Sequence, residues 1–380
     1  MKYEYDFRDG LRVIIPPGKK LKIDMMIDNI VMQGGEVDTT NGEPFVAMTN
    51  IKYNVDWTVA IYEDGKREEI KPVRDDKDVL IIVPGGGLGD NIAWLSYSVL
   101  YKKHHQCKSL TIAASPKVYE LFEKQYPGIT FISNEPFETV TPDNFDELFK
   151  NYPVVFRLGC FFGDDGRFFC PVDHKLTGLH HIAGYVLDIP RGDYPLELSP
   201  EIYEIQPENQ VTFDHNGSAV VKTWLRPNAW GELAVRLGET KIKMVGIGRE
   251  RDKIVAWWVN RFPENCVDDT GDKPLVDRCR EIRKSRCYVG GSSGLAWLAW
   301  CCKTPVVMVG GWTNPVNEFE CDHVINWAMC NSCWNDTHGG KAFDHGDGFQ
   351  CPRHRGDMCQ FICSWSVTVD MVFDAVKKYL

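Results

Sequence analysis

Residues 268–311 read DDTGDKPLVDRCREIRKSRCYVGGSSGLAWLAWCCKTPVVMVGG, and this stretch decides the fold class. Its parts follow in the order of a DTG turn, a helix that begins at PL, the short apolar strand CYVGG, a second helix that begins at SSGL, and the strand TPVVMVGG. Strands without polar alternation are buried on both faces, which is typical of parallel sheets covered by helices. The stretch therefore predicts an α/β domain with a parallel sheet.

The same alternation of strands and helices runs through most of the chain. One series begins at Val79 with VLIIVPGG, and a second begins after Tyr203. Two consecutive series predict two Rossmann-like domains that face a cleft, at residues 78–204 and 205–380. Residues 1–77 instead alternate apolar and polar positions between turn residues, and YEDGKREEI carries an Asp-Gly hairpin signal. We expect a small antiparallel β domain there.

The bulk properties narrow the class of protein. The chain has 380 residues, which is long enough for two or three domains. Its formal net charge of -10 disfavours nucleic acid as the main partner, because phosphate binding needs a basic surface. The N-terminus shows no secretory pattern, and no apolar run approaches the ~20 residues of a membrane span, so we expect a soluble, cytoplasmic protein. The 14 cysteines then predict reduced thiols and one metal site rather than a disulfide framework.

The first candidate site is the glycine turn VPGGGLGDNIAW, at residues 83–94. A strand, a glycine turn and a helix bring the backbone close to a ligand and direct helix amides at it, which makes Gly87 and Gly89 candidate binding residues. The spacing differs from the dinucleotide pattern G-x-G-x-x-G, so it gives little support for nicotinamide binding. Asp90 is either the N-cap of the following helix or a catalytic carboxylate.

The second candidate site is the pair of loops in residues 268–311. Small residues at the second helix start leave amide and hydroxyl donors for a diphosphate, and Thr270 in the DTG turn is placed to join them. The alternative is an ordinary βα loop closed by a serine cap. The candidate donors at the helix start are Ser292, Ser293, Gly294 and Leu295.

Other residues are candidates to contact the substrate, and each also has an ordinary structural interpretation. Glu318, in NPVNEFE, is either a ligand for ribose or sugar hydroxyls or a solvated loop glutamate. His180 and His181 either bond a substrate hydroxyl or cap and fill the core. Trp94, Trp297, Trp300 and Trp312 are interpreted as packing residues rather than as platforms for a sugar.

The cysteine cluster near the C-terminus predicts a metal site. Cys330 and Cys333 form a C-x-x-C half-site, which directs both sulfurs at one metal. Cys351 follows, and Cys359 and Cys363 compete for the fourth position. Tetrahedral thiolate coordination suits zinc or iron, and a closed four-sulfur site braces a loop instead of catalysing. Asp344, His345 and His354 are either partners that contact the ligands or, by default, ordinary surface loop residues.

These motifs together resemble a known family. The pattern D-x-T-G-x-x-x-L followed by G-x-S-G-L-x-x-L-A resembles the C-terminal half of the ADP-heptose transferases that build lipopolysaccharide core. GSSGLAWLAW, NEFE, CNSCW, CPRH and QFIC resemble, more specifically, the bacterial autotransporter heptosyltransferases, as do YDFRDGLRVIIPPGK and GLHHIAGYVLDIPR. The resemblance runs along almost the whole chain, and the cysteine cluster is its most specific part.

The resemblance implies a fold, a reaction and a metal. The fold is the GT-B glycosyltransferase fold, and the reaction is inverting transfer of heptose from ADP-heptose onto serine hydroxyls of autotransporter proteins. Asp90 falls at the position of the family's catalytic base. One iron ion is implied, held by Cys330, Cys333, Cys351 and Cys363, because QFIC matches the family whereas the DMC segment around Cys359 does not. The family also implies a high-order homo-oligomer. With no DxD-type motif evident in the sequence, we expect no divalent metal in catalysis.

One departure from the family affects the donor site. The lipopolysaccharide transferases carry a K-x-W arrangement, whereas this chain has Asn228 before Trp230. Lys222 or Arg226 then supplies the charge for the donor phosphates, unless both are plain surface cations. The alternatives to the leading function are a transferase of the same fold with another nucleotide sugar or a non-protein acceptor, and a non-catalytic, metal-stabilised scaffold.

Overall fold

The computed structural model describes most of the chain. The described residues are 3–160, 167–217, 219–247, 253–255, 258–260, 262–337 and 351–380, with only the backbone described for 253–255 and 258–260.

The first part of the chain forms two antiparallel sheets. The sheet of order β1-β2-β5 consists of β1 (Glu4–Asp6), β2 (Arg12–Ile15) and β5 (Phe45–Met48). The sheet of order β4-β3-β6-β7 consists of β3 (Lys20–Ile27), β4 (Ile30–Asp38), β6 (Thr58–Glu63) and β7 (Lys66–Ile70). Asp64 and Gly65 both have positive φ, 52° and 72°, as a type I′ hairpin turn requires. The antiparallel strands and the Asp-Gly hairpin expected from the sequence are therefore present.

These sheets are attached to the rest of the molecule through backbone and core. The Phe7 amide donates to the Pro153 carbonyl (2.7 Å), and the Val155 amide donates to the Phe7 carbonyl (3.1 Å). One buried apolar cluster also runs from Tyr3 to Phe319. The core therefore continues past residue 77, and the boundary placed there remains a prediction.

The middle of the chain forms a parallel sheet of order β10-β9-β8-β11. Its strands are β8 (Asp78–Ile82), β9 (Ser109–Ala114), β10 (Ile129–Ser133) and β11 (Val154–Arg157). The helices of this part are α1 (Leu88–Ser98), α2 (Tyr101–His104), α3 (Pro116–Phe122), α4 (Pro142–Phe149), α5 (Leu179–Leu187) and α6 (Pro200–Glu204). Nearly all of β8 is buried, which explains its continuous apolar sequence.

The last part of the chain forms a second parallel sheet of order β16-β13-β12-β17-β18-β19. The strands of this part are β12 (Gln210–Asp214), β13 (Lys241–Met244), β14 (Lys253–Val255), β15 (Trp258–Asn260), β16 (Val267–Asp268), β17 (Cys287–Gly290), β18 (Val306–Val309) and β19 (Asp322–Val324), of which β14 and β15 form a separate antiparallel pair. Its helices are α7 (Ala229–Arg236), α8 (Leu275–Arg283), α9 (Gly294–Cys301), α10 (Ile362–Trp365) and α11 (Val369–Val376).

The two parallel sheets with their helices confirm an α/β protein. Across the described residues, every helix is too short or too polar to span a bilayer.

Candidate functional site

The two α/β parts meet where the first turns of α1 and α9 cross. A Cβ atom on Gly294 would stand 2.6 Å from the Leu88 Cβ and 2.9 Å from the Gly89 amide nitrogen. A Cβ atom on Gly89 would stand 2.9 Å from Cδ1 of Trp297. Both glycines were singled out from the sequence as donor-binding residues. The structure shows that they allow the two helices to approach, and their contact with a ligand remains a prediction.

Asp90 lies on α1 beside this crossing. Helix α1 begins at Leu88, so Gly87 occupies the N-cap and Asp90 is the third helical residue, not the N-cap. Its Oδ2 accepts a hydrogen bond from the Gly87 amide at 3.0 Å, which fixes the carboxylate over the glycine turn. Burial raises the pKa of both Cys160 and Glu318, and the Asp90 charge adds to each rise, so this charge acts on a residue of each α/β part.

Glu318 is buried beside Ser292, which lies just before the start of α9. It is only 7% exposed, so the alternative of a solvated loop glutamate is wrong. Its Oε1 accepts hydrogen bonds from the Ser292 hydroxyl (2.6 Å) and the Thr313 hydroxyl (2.9 Å). Burial raises the pKa of Glu318, while those two bonds and the Lys222 charge lower it. The Glu318 carboxyl is thus fixed by one of the predicted donor-site serines.

Asp214, which sequence reasoning missed, anchors the other serine. Asp214 ends β12, the strand paired with β17, and its Oδ2 accepts from the Tyr288 hydroxyl (2.8 Å) and the Ser293 hydroxyl (2.9 Å). Burial raises the pKa of Asp214. The sequence contains one signal for it, an acidic residue at the carboxyl end of the apolar strand VTF, where ligands bind in open α/β sheets.

The start of α9 therefore offers a ligand its backbone amides, rather than its side-chain hydroxyls, as hydrogen-bond donors. The hydroxyls of Ser292 and Ser293 are directed to Glu318 and Asp214. The Leu295 side chain is 2% exposed and belongs to the core. The first amides of a helix have no intrahelical partner, so the amides of Gly294 and Leu295 are the donors available to an anionic ligand.

The DTG turn is held by a buried arginine that the sequence did not reveal. Arg278, on α8, is 1% exposed and pairs with Asp269 Oδ2 at 3.2 Å, while it also donates to the carbonyls of Asp269 and Gly271. The Thr270 hydroxyl donates to Asp268 Oδ1 at 2.7 Å. The turn is therefore rigid, and a donor contact by Thr270 would have to share its hydroxyl with Asp268.

The two basic residues predicted to meet the donor phosphates, Lys222 and Arg226, occupy different positions. Lys222 ends a short 3-10 helix, and a Cβ on Gly291 would stand 1.9 Å from the Lys222 carbonyl, so only glycine permits this approach. Lys222 thereby lies near Glu318, on which its charge acts. Arg226 is half-buried ahead of α7, and its carbonyl accepts from the Ala229 amide at 3.2 Å. Of the two, the structure brings Lys222 to the residues around Asp90.

The two histidines lie in the core beneath the crossing. His180 is 2% exposed, its ring lies 3.9 Å from that of His181, and it meets Trp297 edge-on at 5.4 Å. Burial lowers the pKa of His180 to about 3, so the imidazole is neutral. These contacts favour the packing interpretation for His180 and also for Trp297.

The four cysteines implied by the family resemblance converge on one cavity. Cys330, Cys333, Cys351 and Cys363 line it together with Val221 and Trp312. All 14 cysteines lie in the described residues, and none forms a disulfide. Two N–H groups point at the sulfurs, from the Phe361 amide to Cys351 Sγ (3.5 Å) and from Arg353 Nη1 to Cys330 Sγ (3.7 Å).

This donor set fits a thiophilic metal ion. Burial and the neighbouring cysteines together raise the pKa of Cys333 to about 12, so this thiol stays protonated unless a cation stabilises its thiolate. Four thiolates suit iron or zinc, and N–H groups directed at sulfur stabilise thiolate charge.

The remaining metal-site candidates separate from this set. Cys359 also lines the cavity, but its sulfur groups with His354 and Asp357. Asp344 and His345 lie outside the described residues.

Comparison with known proteins identifies relatives along the whole chain. No family model matches the sequence. The autotransporter heptosyltransferase Aah of Escherichia coli is 34% identical, over 98% of this chain and 92% of that protein. BAHTCr of Citrobacter rodentium, also an autotransporter heptosyltransferase, is 31% identical over 98% of this chain and 88% of that protein. BimC of Burkholderia thailandensis, an inactive autotransporter heptosyltransferase, is 31% identical over 98% of this chain and 85% of that protein.

Comparison with solved structures points to the same group of proteins. The iron-containing dodecameric heptosyltransferase TibC of enterotoxigenic E. coli, in complex with ADP-D-beta-D-heptose, matches with a TM-score of 0.85 at 28% identity, over 99% of this chain and 95% of that one. E. coli ADP-heptose lipopolysaccharide heptosyltransferase II shares the fold, with a TM-score of 0.54 at 14% identity over 80% of this chain and 98% of that one. With relatives of at least 30% identity along nearly its whole length, this chain belongs to the autotransporter heptosyltransferases, a family of glycosyltransferases.

Proposed function

We propose that the protein is an inverting O-heptosyltransferase that moves heptose from ADP-heptose onto serine hydroxyls of an autotransporter-type protein. The observation that carries the proposal is the packing of the turn that bears Asp90, in the first α/β part, against the start of α9, in the second, at Gly89 and Gly294. Glu318 accepts a hydrogen bond from Ser292 beside that helix start, and the Lys222 carbonyl lies against Gly291. A GT-B enzyme needs its base and its donor site on opposite sides of one cleft. The relatives' names and the ADP-heptose complex of TibC support heptose as the sugar.

Asp90 is the proposed general base. A serine hydroxyl is a weak nucleophile, so a carboxylate has to accept its proton as the oxygen attacks the anomeric carbon. The new bond forms between the serine oxygen and the anomeric carbon, the bond from that carbon to the diphosphate oxygen breaks, and ADP leaves with the electron pair. The hydrogen bond from the Gly87 amide holds Asp90 in one orientation for this step.

The second α/β part is the proposed donor side. Charge grows on the diphosphate as it leaves, and the amides at Gly294 and Leu295 together with the Lys222 ammonium are positioned to stabilise it. The Thr270 turn and Arg226 complete the proposed donor contacts, and no divalent metal is required. Glu318, held by Ser292 and Thr313, is proposed to accept hydrogen bonds from sugar or ribose hydroxyls.

One iron ion held by Cys330, Cys333, Cys351 and Cys363 is the proposed resident metal, because TibC contains iron and the four sulfurs share a cavity here. A closed four-sulfur site cross-links the segment that carries Cys330 to α10 and gives no open position to substrate. Replacing Cys330 with Ser is expected to release the metal and destabilise the protein. A high-order homo-oligomer in the cytoplasm is proposed by analogy with dodecameric TibC.

The direct test is mass spectrometry of an autotransporter passenger fragment after incubation with ADP-heptose and this protein. Asp90→Asn is expected to abolish the heptose adduct while ADP-heptose binding, followed by calorimetry, is retained. Asp143→Asn is the matched control, because Asp143 is an exposed acidic residue in the first turn of α4. Full transfer by Asp90→Asn would overturn the role of Asp90.

The non-catalytic alternative is kept because one relative of comparable identity, BimC, is inactive. A scaffold of this kind would give no adduct with the unchanged protein under any donor. It would still bind its metal and assemble.

A further inference from the structure

A short turn beside the four-cysteine cavity gathers three different metal-binding groups. The side chains of His354, Asp357 and Cys359 each place one ligand atom within 4.8 Å of the other two. All three come from six consecutive residues, HRGDMC. Imidazole, carboxylate and thiolate together suit a borderline divalent ion such as Zn²⁺ or Co²⁺, and the thiolate disfavours Mg²⁺ and Ca²⁺.

The turn is held in shape by its own hydrogen bonds. Gly356 has a φ of 79°, a left-handed conformation that glycine adopts without strain. The Gly356 amide donates to Gln360 Oε1 at 3.2 Å, and the Cys359 amide donates to Asp357 Oδ1 at 2.6 Å. The second carboxylate oxygen of Asp357 therefore faces His354 Nδ1, at 3.1 Å.

These distances are compatible with one ion. Tetrahedral zinc sites with bond lengths of about 2.0–2.3 Å hold neighbouring ligand atoms roughly 3.3–3.7 Å apart. The His354–Asp357 separation is close to that range, and Cys359 Sγ lies within 4.8 Å of both ligand atoms. Three protein ligands leave a fourth position for water, which is the arrangement of an open site.

The position of the turn gives an electrostatic reason for a cation to bind there. His354 and Cys359 line the same cavity as Cys330, Cys333, Cys351 and Cys363. A divalent ion with four thiolates carries a net charge of about -2, which attracts a second cation next to it. Asp357 and the Cys359 thiolate would neutralise that second cation.

We propose that His354, Asp357 and Cys359 form a second metal site, open to solvent and separate from the four-cysteine site. Cys359 is then a ligand of this second ion and not a rival of Cys363. The proposal is independent of the transferase reaction, since none of the three residues takes part in it.

The test counts metal ions on the purified protein with its resident metal in place. The protein is dialysed against Co²⁺, and bound metals are measured by elemental mass spectrometry and by the cobalt–thiolate absorption band. We expect one Co²⁺ per chain in addition to the resident ion. Asp357→Asn, His354→Ala and Cys359→Ser should each lose the added Co²⁺ and keep the resident ion and the melting temperature.

Two control variants match these changes in residue type. His104→Ala removes an exposed histidine of α2, and Cys107→Ser removes a half-buried cysteine far from the cavity in sequence. Both should keep the added Co²⁺. The proposal is overturned if no additional ion binds, if the added ion persists in the variants, or if Cys359→Ser loses the resident ion instead.

Discussion

Gly294 and Gly89 pack against each other where α9 crosses α1: a Cβ on Gly294 would lie 2.9 Å from the Gly89 amide nitrogen, and a Cβ on Gly89 would lie 3.4 Å from the Gly294 Cα. Both glycines come from the motifs predicted to bind the donor. This close approach of the two α/β parts is therefore built from the same turns that carry the proposed active site. The geometry of the cleft therefore depends on the packing of Gly294 against Gly89.

Gly294→Ala is expected to force α1 and α9 apart. The added methyl group meets backbone, which cannot rotate away, so we expect a loss of about 1–3 kcal/mol in the free energy of unfolding, measured with urea. Gly231→Ala is the control, because Gly231 lies inside α7 and a Cβ there would meet no atom within 4 Å. That control should be neutral or gain roughly 0.5–1 kcal/mol. Equal stability of both variants would contradict the role of the crossing.

Tyr288→Phe tests the buried network at Asp214. The change removes one of the two hydroxyls that donate to Asp214 Oδ2 and leaves a buried carboxyl short of a partner. We expect a loss of about 1–3 kcal/mol in the free energy of unfolding. Tyr185→Phe, at a position that is 41% exposed, should change stability little.

A double-mutant cycle sharpens this test. Combining Tyr288→Phe with Asp214→Ala should cost less than the sum of the two single changes, because both remove the same hydrogen bond. Additive losses would show that the two groups do not interact.

The sequence predicted the α/β elements well because their signals are local. Helix α9 and strand β18 follow from an apolar run flanked by serines and a proline, and the Asp64-Gly65 hairpin follows from two residues. These patterns depend on neighbours within a few positions, so they can be found without tertiary contacts.

The parts that the sequence did not reveal depend on contacts between distant residues. Asp214 meets Ser293 across 79 positions, and neither residue alone distinguishes a buried network from a capped loop. The packing role of Gly89 follows only from its contact with Gly294. The grouping of Cys359 with His354 and Asp357 depends on the left-handed turn at Gly356. The C-x-x-C spacing by itself does not distinguish between the cysteines that follow it.

Glu318 is expected to make stability depend on pH. Burial raises the pKa of Glu318 in the folded protein above the ordinary value of 4.5. At pH values between 4.5 and the folded-state pKa, the native state therefore binds more protons than the unfolded state. Stability from this group is then fully present below about pH 4.5 and is lost as pH rises through the folded pKa. Glu318→Gln stays neutral, so the stability of the unchanged protein relative to this variant should fall as pH rises.

Urea unfolding of both proteins from about pH 4 to about pH 8 measures this difference. Glu147→Gln is the control, because its side chain is 77% exposed and lies on α4, away from the crossing. A relative stability that increases with pH would mean that the bonds from Ser292 and Thr313 outweigh burial, and that Glu318 is ionised in the native protein.

Arg353 is expected to strengthen metal retention at the four-cysteine site. Its Nη1 donates to Cys330 Sγ at 3.7 Å, while Nη2 pairs with Asp336 at 3.1 Å, so one guanidinium links a metal ligand to the segment that follows Cys333. Loss of a partner that contacts a metal ligand typically weakens metal binding about 10–100-fold. Arg353→Gln should therefore release its resident metal at least about tenfold faster to a chelator.

The control for this measurement is Arg280→Gln, which removes an exposed arginine that pairs with Asp277 on α8. It should release metal at the rate of the unchanged protein. If Arg353→Gln also matches that rate, the Arg353–Cys330 contact does not stabilise the thiolate. The Phe361 amide, which donates to Cys351 Sγ, would then be the more important N–H donor at this site.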